Sequence, residues 1–361
     1  MLVAHANARC RRHEDRHGHV GGDRRLRVAL SSVHPRPPRE ADPGRGPGLR
    51  AGPRGQPDPA EQRADLGRVP NRPHQFQVYE PKRREVVSLP FRDRVAQHSL
   101  VAAIEPLWER SFIDDSYACR PGRGIHRCAD RVQRMMRRVQ RRAGRVYALK
   151  ADVRQYFASI DHDVLKRLLR RKIACPRTLG MCDEIIDAWG RRVTGTATGL
   201  PIGNLTSQLW ANVYLDALDQ HVKHDLRARN YVRYMDDFVL LHHDKAQLQA
   251  RRIHLEAWLA DRLGLELNEK TQVFPIDEAH GRGLDFVGYR IWPDHRRLRK
   301  SSIRRMRRSL KEMQRLYAAG EISLAEIRQS VQSWVAHASH AQTAGLCEQL
   351  LGSVPFARGP R

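Results

Sequence analysis

The sequence predicts an α+β protein, on three observations. From Phe76 onward, segments with apolar residues at helical spacing alternate with short strand-like runs bounded by turn signals. No period of 20–50 residues repeats, which excludes a solenoid. The chain has no long apolar run of signal or membrane type, so a soluble, cytoplasmic protein without a membrane partner is expected.

The 361 residues carry 65 Lys+Arg against 40 Asp+Glu, a formal charge of +25. Such a surplus favours a polyanionic partner, because Lys and Arg gain affinity for phosphates by releasing condensed counterions. Nucleic acid leads, with an anionic membrane surface second. Lysine is rare beside arginine, a bias that a GC-rich coding sequence explains as readily as a need for bidentate phosphate contacts. The six cysteines show neither a CxxC pair nor metal-ligand spacing, which fits a reduced compartment.

Residues 1–75 differ from the rest. They hold no Phe, Trp, Tyr, Ile or Lys but 10 of the 20 prolines, and such a stretch cannot bury much of a core. A disordered tail or a misplaced start fits better than a functional basic arm. Their charge is +7, which leaves +18 on the remaining 286 residues.

The elements follow in order. FQVYEPKRREVVSLP alternates like two strands around a basic turn at Pro81 to Arg84. Asp93 to Trp108 predicts a helix with Val95, Leu100, Val101 and Ile104 inward. After the loop DSYACRPGRG, the residues Cys128, Val132, Met135, Met136 and Val139 recur at helical spacing, while Arg131, Arg134, Arg137, Arg138, Arg141 and Arg142 occupy other faces. The methionines read as core, and the arginines as a solvated face before a groove. RVYALKADVRQYF predicts a buried strand ending near Asp152, followed by a helix that Asp161 caps. A Gly/Pro loop feeds a long helix from about Thr206, and YVRYMDDFVLLHH predicts two short strands joined by a tight turn. A helix near 246–263, strand-like LGLELNEKTQVF and LDFVGYRIW, and two helices within 302–340 complete the chain.

The chemistry starts at Asp236 and Asp237, adjacent acids between apolar flanks. A carboxylate inside an apolar hairpin is costly unless a cation or partner compensates it. One such pair alone is weak, since most are surface turns. Asp152, which ends another apolar strand, sharpens it. If the two strands are neighbours, the three acids converge, and hard oxygen ligands of this kind suit Mg²⁺ or Mn²⁺. Two such ions can activate an attacking hydroxyl and stabilise the leaving oxygen of an in-line phosphoryl transfer, which makes nucleotidyl transfer the natural reaction class.

With DVRQYF, PIGNLTSQ and YMDD in this order, residues 76–340 resemble a reverse transcriptase. The resemblance implies a right-hand polymerase: an α+β palm of antiparallel sheet on helices, fingers, and a helical thumb. Fingers would occupy 76–145, palm 146–293 with an interleaved fingers segment at about 173–200, and thumb with C-terminal tail 294–361. It implies two Mg²⁺ ions, with Mn²⁺ as a substitute, held by Asp152, Asp236, Asp237 and the Val153 carbonyl. Phe157 would sit under the incoming sugar and reject a ribose 2′-OH, or be an ordinary core Phe. Lys82 and Arg84 would hold the dNTP triphosphate, with Arg92 and Arg120 in similar fingers motifs, or belong to a solvated basic hairpin. Lys270 matches a lysine that would protonate pyrophosphate, or is a surface residue beside a turn. FVGYR resembles the hairpin gripping the primer end, and Arg304, Arg305, Arg307 and Arg308 the thumb's backbone contacts. The implied partners are an RNA template, a DNA or RNA primer, and dNTPs.

Most members of that family carry Gln-Gly with Ser-Pro before the long helix, where this chain has Ile202-Gly203 and Ser207-Gln208. That pattern, with PFRDRVAQHSL and DSYACRPGRGIH, resembles the reverse transcriptases of diversity-generating retroelements. Those copy a repeat RNA with errors at adenines, beside a small basic accessory protein. Reduced group II intron, retron and phage-defence enzymes are the alternatives, and a catalytically dead RNA-binding descendant is the rival outside the enzymes.

Overall fold

The computed structural model describes residues 74–79, 83–189, 195, 197–279, 282–352 and 356. The expectation for residues 1–75 therefore lies almost wholly outside the described residues.

A basic hairpin comes first. β1 (His74–Val78) and β2 (Arg84–Ser88) pair antiparallel, with Phe76 opposite Val86. Helix α1 (Phe91–Glu109) buries Asp93, Gln97, Leu100, Val101, Ile104 and Trp108 as one stripe. Val95 is 39% exposed, contrary to its expected inward position. It lies two residues before Gln97, about 200° around the helix from that stripe.

Helix α2 (Ile125–Ala143) buries Cys128, Val132, Met135, Met136 and Val139, and ends at Gly144 in the left-handed conformation. The chain then enters β3 (Tyr147–Asp152). A short turn of helix, α3 (Tyr156–Ser159), leads to α4 (His162–Arg170). The Asp161 carboxylate caps α4 by accepting from the Val164 amide at 2.8 Å. Helix α5 (Pro176–Trp189) follows.

The long helix α6 (Leu205–Gln220) is buried nearly all round and runs into a π-helical turn at His221–Asp225. Next come β4 (Tyr231–Tyr234), β5 (Asp237–His242), α7 (Lys245–Leu263) and β6 (Gln272–Pro275). The central antiparallel sheet has the order β4-β5-β3-β6. Of LGLELNEKTQVF, only the last part becomes a strand. LDFVGYRIW becomes a hairpin, β7 (Leu284–Phe286) and β8 (Tyr289–Ile291), joined in one sheet by β9 (Arg296–Leu298). Helices α8 (Lys300–Ala318), α9 (Leu324–Ala338) and α10 (Ala344–Gly352) close the described chain.

Period-two alternation gives the central sheet two covered faces. Leu149, Ala151, Tyr231, Phe238 and Leu240 share one core with buried residues of α1, α4, α5, α6 and α7. Ala148, Val232, Val239, Leu241 and Phe274 share another with α2 and the β7-β8-β9 sheet. A third, small core unites Met306, Leu310, Met313 and Tyr317 of α8 with Ile327 of α9. Among the described residues, no helix is long and apolar enough to cross a membrane.

Candidate active site

β3 and β5 are neighbours, and their register sets Asp152 opposite Asp237. β4 and β5 are joined by the two-residue loop Met235-Asp236, closed by the Tyr234 and Asp237 pair. The three acids therefore gather at one end of the sheet, all half-buried. Asp236 stands beside the facing pair, and its backbone carbonyl accepts from the Val153 amide at 3.4 Å. Burial raises the pKa of Asp237. The Lys150 ammonium, 4.0 Å away, opposes that shift, and the nearby Asp152 charge adds to it.

The hairpin tip is strained and held from below. Met235 has φ +57°, a conformation costing a non-glycine residue about 1–3 kcal/mol. Its carbonyl accepts from a guanidinium nitrogen of Arg233 at 2.9 Å. Arg233 is fully buried and forks onto the Asp219 carboxylate of α6, with Nη2 donating at 2.6 Å and Nε at 2.8 Å. Nη1 also donates to the Asn212 amide oxygen at 3.1 Å, and the Tyr231 hydroxyl donates to Asp219 at 2.7 Å. Burial opposes the Arg233 charge, but the Asp219 carboxylate more than reverses this, so its pKa is raised. Removing two ions from water costs several kcal/mol each, which this geometry offsets only while every partner is present.

This network was absent from the sequence reading. Its signal is Arg233 inside the short strand YVRY, at a position whose neighbours Val232 and Tyr231 are buried, with Asp219 in a helix that is buried nearly all round.

The remaining predicted residues divide into two groups. The Ile202-Gly203 loop meets β2, where the Val87 amide donates to the Ile202 carbonyl at 2.9 Å. Gly203 has φ +115°, and a Cβ there would stand 2.8 Å from the Val87 carbonyl oxygen. The loop thus joins the strand that Arg84 opens; Lys82 lies outside the described residues. Phe157 is half-buried five residues beyond Asp152 and meets the Tyr156 ring edge-on at 5.7 Å. The Phe157 carbonyl accepts from the Leu200 amide at 2.7 Å, tying that turn to the same loop. Lys270 is exposed beside a turn whose Asn268 amide donates to the Asp152 carbonyl at 2.7 Å, so only a short connection separates it from the acids.

Arg120 and Arg92 fall outside this grouping. The Arg120 side chain is 3% exposed, pairs with Glu109 at 2.8 Å, and donates to the Ile113 and Ser116 carbonyls. Its guanidinium is consumed in bracing the loop after α1, which departs from the expected phosphate contact. Arg92 is exposed in the first turn of α1.

The FVGYR hairpin turns through Val287 and Gly288, both at positive φ, and Gly288 faces His337 of α9. There the Tyr289 hydroxyl lies 2.9 Å from His126 Nδ1 and 3.2 Å from His337 Nδ1, while the His126 and His340 rings stack at 3.7 Å.

The donor set at the sheet end fits a divalent cation. Three carboxylates crowd one strand end and are all oxygen donors, the kind that Mg²⁺ and Mn²⁺ prefer. Among the described residues, the His/Asp/Glu group whose ligand atoms all lie within 4.8 Å is a different one, Glu278, Asp294 and His295. It reads as an ion-pair network, because Asp294 takes a 2.9 Å contact from His295 and Glu278 a 2.7 Å bond from Arg297.

An antiparallel sheet with acids at one end of its central strands, helices behind it, a basic hairpin joined to its loop and a helical C-terminal unit make up the right-hand polymerase fold. The family model for reverse transcriptase (RNA-dependent DNA polymerase) matches residues 77–291, and the chain belongs to that family. It is 28% identical to protein YkfC of Escherichia coli (strain K12), covering 55% of this chain and 61% of that protein. It is 26% identical to the group II intron-encoded protein LtrA of Lactococcus lactis subsp. cremoris, covering 55% of this chain and 34% of that protein. The match thus spans less than two thirds of either relative. An apo telomerase from Candida tropicalis aligns over 80% of this chain and 62% of its own, with 13% identity and a TM-score of 0.49.

Proposed function

We propose that this chain is an RNA-directed DNA polymerase that adds dNTPs to a primer 3′-OH on an RNA template. The observation that carries this reading is the strand register, which sets Asp152 against Asp237 with Asp236 in the adjoining turn. Two bound Mg²⁺ ions would supply Lewis acidity to the attacking and leaving oxygens. Asp152, Asp236 and Asp237 would hold them, with the Val153 carbonyl as a backbone donor. Arg233 and Asp219 keep the acid turn in its strained shape, so no reorganisation is needed when substrate arrives. Phe157 would close the space beneath the sugar, and Arg84 with Lys82 would orient the triphosphate through charge-assisted hydrogen bonds. Lys270 would give a proton to the leaving pyrophosphate.

The test is primer extension on an RNA template with dNTPs and Mg²⁺. Wild-type extension that is lost with Asp236→Ala supports the reading, and extension that survives the change rejects the metal assignment. Phe157→Ala should raise ribonucleotide incorporation, and an unchanged dNTP/rNTP ratio rejects its gating role.

Within this activity, the favoured role is error-prone cDNA synthesis in a diversity-generating retroelement, supported by Ile202-Gly203 and Ser207-Gln208. An aliphatic group in place of Gln removes a hydrogen-bonding side chain from the loop that β2 braces. Ile202→Gln should then reduce misincorporation opposite template adenine. A second reading, a group II intron type of enzyme, is favoured by the identity with LtrA. It predicts faithful copying of adenine by the unmodified chain.

A further inference from the structure

From Arg131 to Ala151 the chain has seven arginines and one lysine but no acidic residue. Four of the arginines also make contacts within the protein: Arg131 pairs with Asp115 at 2.7 Å, Arg137 donates to the Pro293 carbonyl, Arg138 to the Asn230 side chain and Arg134, at a long 3.4 Å, to the Asp130 carbonyl. Arg134, Arg138, Arg141, Arg142 and Arg145 are exposed, and among the described residues no salt bridge involves them. The first four recur at i, i+4, i+7 and i+8, one stripe about 12 Å long on α2. Like charges at this spacing repel one another.

The stripe cannot turn inward, because the apolar side of α2 is buried in the sheet core. Asp130, the acid nearest in sequence, is taken by Arg296 at 2.7 Å. Asp115 is shared between Arg131 and Lys223, and Asp225 is paired with His221. The loop before β4 extends the basic surface with exposed Arg227 and Arg229, and Arg138 donates to Asn230 in that loop. His242, opposite Tyr147 at the start of β3, borders the same end. The surface thus lies at the end of β3 remote from Asp152, about 17 Å along the strand.

Such a surface calls for a polyanion. Guanidinium forks match phosphate oxygens bidentately, and no apolar side chains interleave the stripe as insertion into a lipid surface requires. We propose that the arginine stripe of α2 docks the phosphate backbone of a structured RNA segment lying outside the catalytic cleft, a part of the template molecule that is not being copied. The proposal rests on the RNA-directed reading above. Recognition there is by backbone and shape, because the exposed residues of the stripe are arginines, which bind phosphate oxygens and carry no base information.

The experiment compares the full chain with the triple variant Arg134→Ala, Arg141→Ala, Arg142→Ala. Arg138 stays because it braces Asn230, and alanine preserves the helix. Binding of a fluorescein-labelled RNA hairpin is read by anisotropy over a KCl series. The triple variant should bind about ten-fold more weakly near 0.1 M salt, and its log–log salt slope should fall by about two to three. A triple lysine variant should keep the slope. Extension of a short annealed RNA/DNA primer–template should match wild type.

Unchanged hairpin affinity and slope would overturn the proposal and leave a solvated face. So would an equal loss on the short primer–template, or binding to phosphatidylserine vesicles in place of the hairpin. Failure of wild-type extension on every template would reject the polymerase reading alone, since hairpin affinity is measured without catalysis.

Discussion

The two ends of the central sheet carry opposite charge and are built on opposite principles. At one end Asp152, Asp236 and Asp237 are half-buried, and the turn beneath them is fixed by the fully buried Arg233 and Asp219. At the other end Arg134, Arg138, Arg141, Arg142 and Arg145 stand exposed on a helix whose opposite face is packed into the apolar core. Buried charges act as a unit in a low dielectric, so losing one should cost most of the function. Exposed charges are screened and nearly additive, so each should matter little and salt should matter much.

The contrast breaks first at the acids. Asp152→Asn should lower primer extension by at least about 10³-fold, or about 4 kcal/mol, with the melting temperature nearly unchanged. Residual activity within ten-fold of wild type would erase the difference between the ends. Arg233→Met should be the most destabilising single change at the site, about 3–5 kcal/mol, because it leaves Asp219 buried and unpaired. Urea unfolding checks this, and the double change with Asp219→Leu should recover part of the loss.

A smaller effect is expected where the basic hairpin meets the site. Gly203→Ala places a Cβ 2.8 Å from a backbone carbonyl at φ +115°, so the loop or β2 must shift. About 1–3 kcal/mol of stability should be lost, with extension falling about ten-fold. An unaltered dNTP KM would mean that the loop and hairpin do not cooperate in binding.

The smallest effect is a pH dependence at the junction of α2, α9 and the FVGYR hairpin. Burial, followed by the nearby His340 and His337, pushes the His126 pKa down from 6.5 to about 4. The unfolded chain then binds more protons than the folded one between those values. Stability from His126 is therefore complete above pH 6.5 and is lost as pH falls toward 4. The melting temperature should drop on acidification through this window, and His126→Gln should flatten part of the drop. An identical profile in the variant would remove His126 from the junction's titration.

Legibility in the sequence followed the range of the forces. Asp161 was readable as a cap because its partner Val164 is three residues away. The YMDD turn was readable because its two strands are adjacent; LDFVGYRIW reads as strand-like from its residues, and its hairpin turn at Val287 and Gly288, both at positive φ, was legible only through the resemblance. The bracing bonds of Arg120 were not legible, because its partners Glu109, Ile113 and Ser116 are set by a loop fold. Helices α5 and α10 and strand β9 carried no distinctive motif. The stripe on α2 was visible as charge, but the absence of salt bridges to it among the described residues was not.

By itself the sequence determined the family, the order of most elements and the identity of the three acids, since these rest on local periodicity, turn chemistry and motif spacing. Only the tertiary structure decided that Asp152 faces Asp237, that Arg233 and Asp219 hold the turn, and that Gly203 lies against Val87. Each of these pairs residues far apart in the chain. Their contact is fixed by strand register and by packing on both faces of one sheet, and neither leaves a local trace.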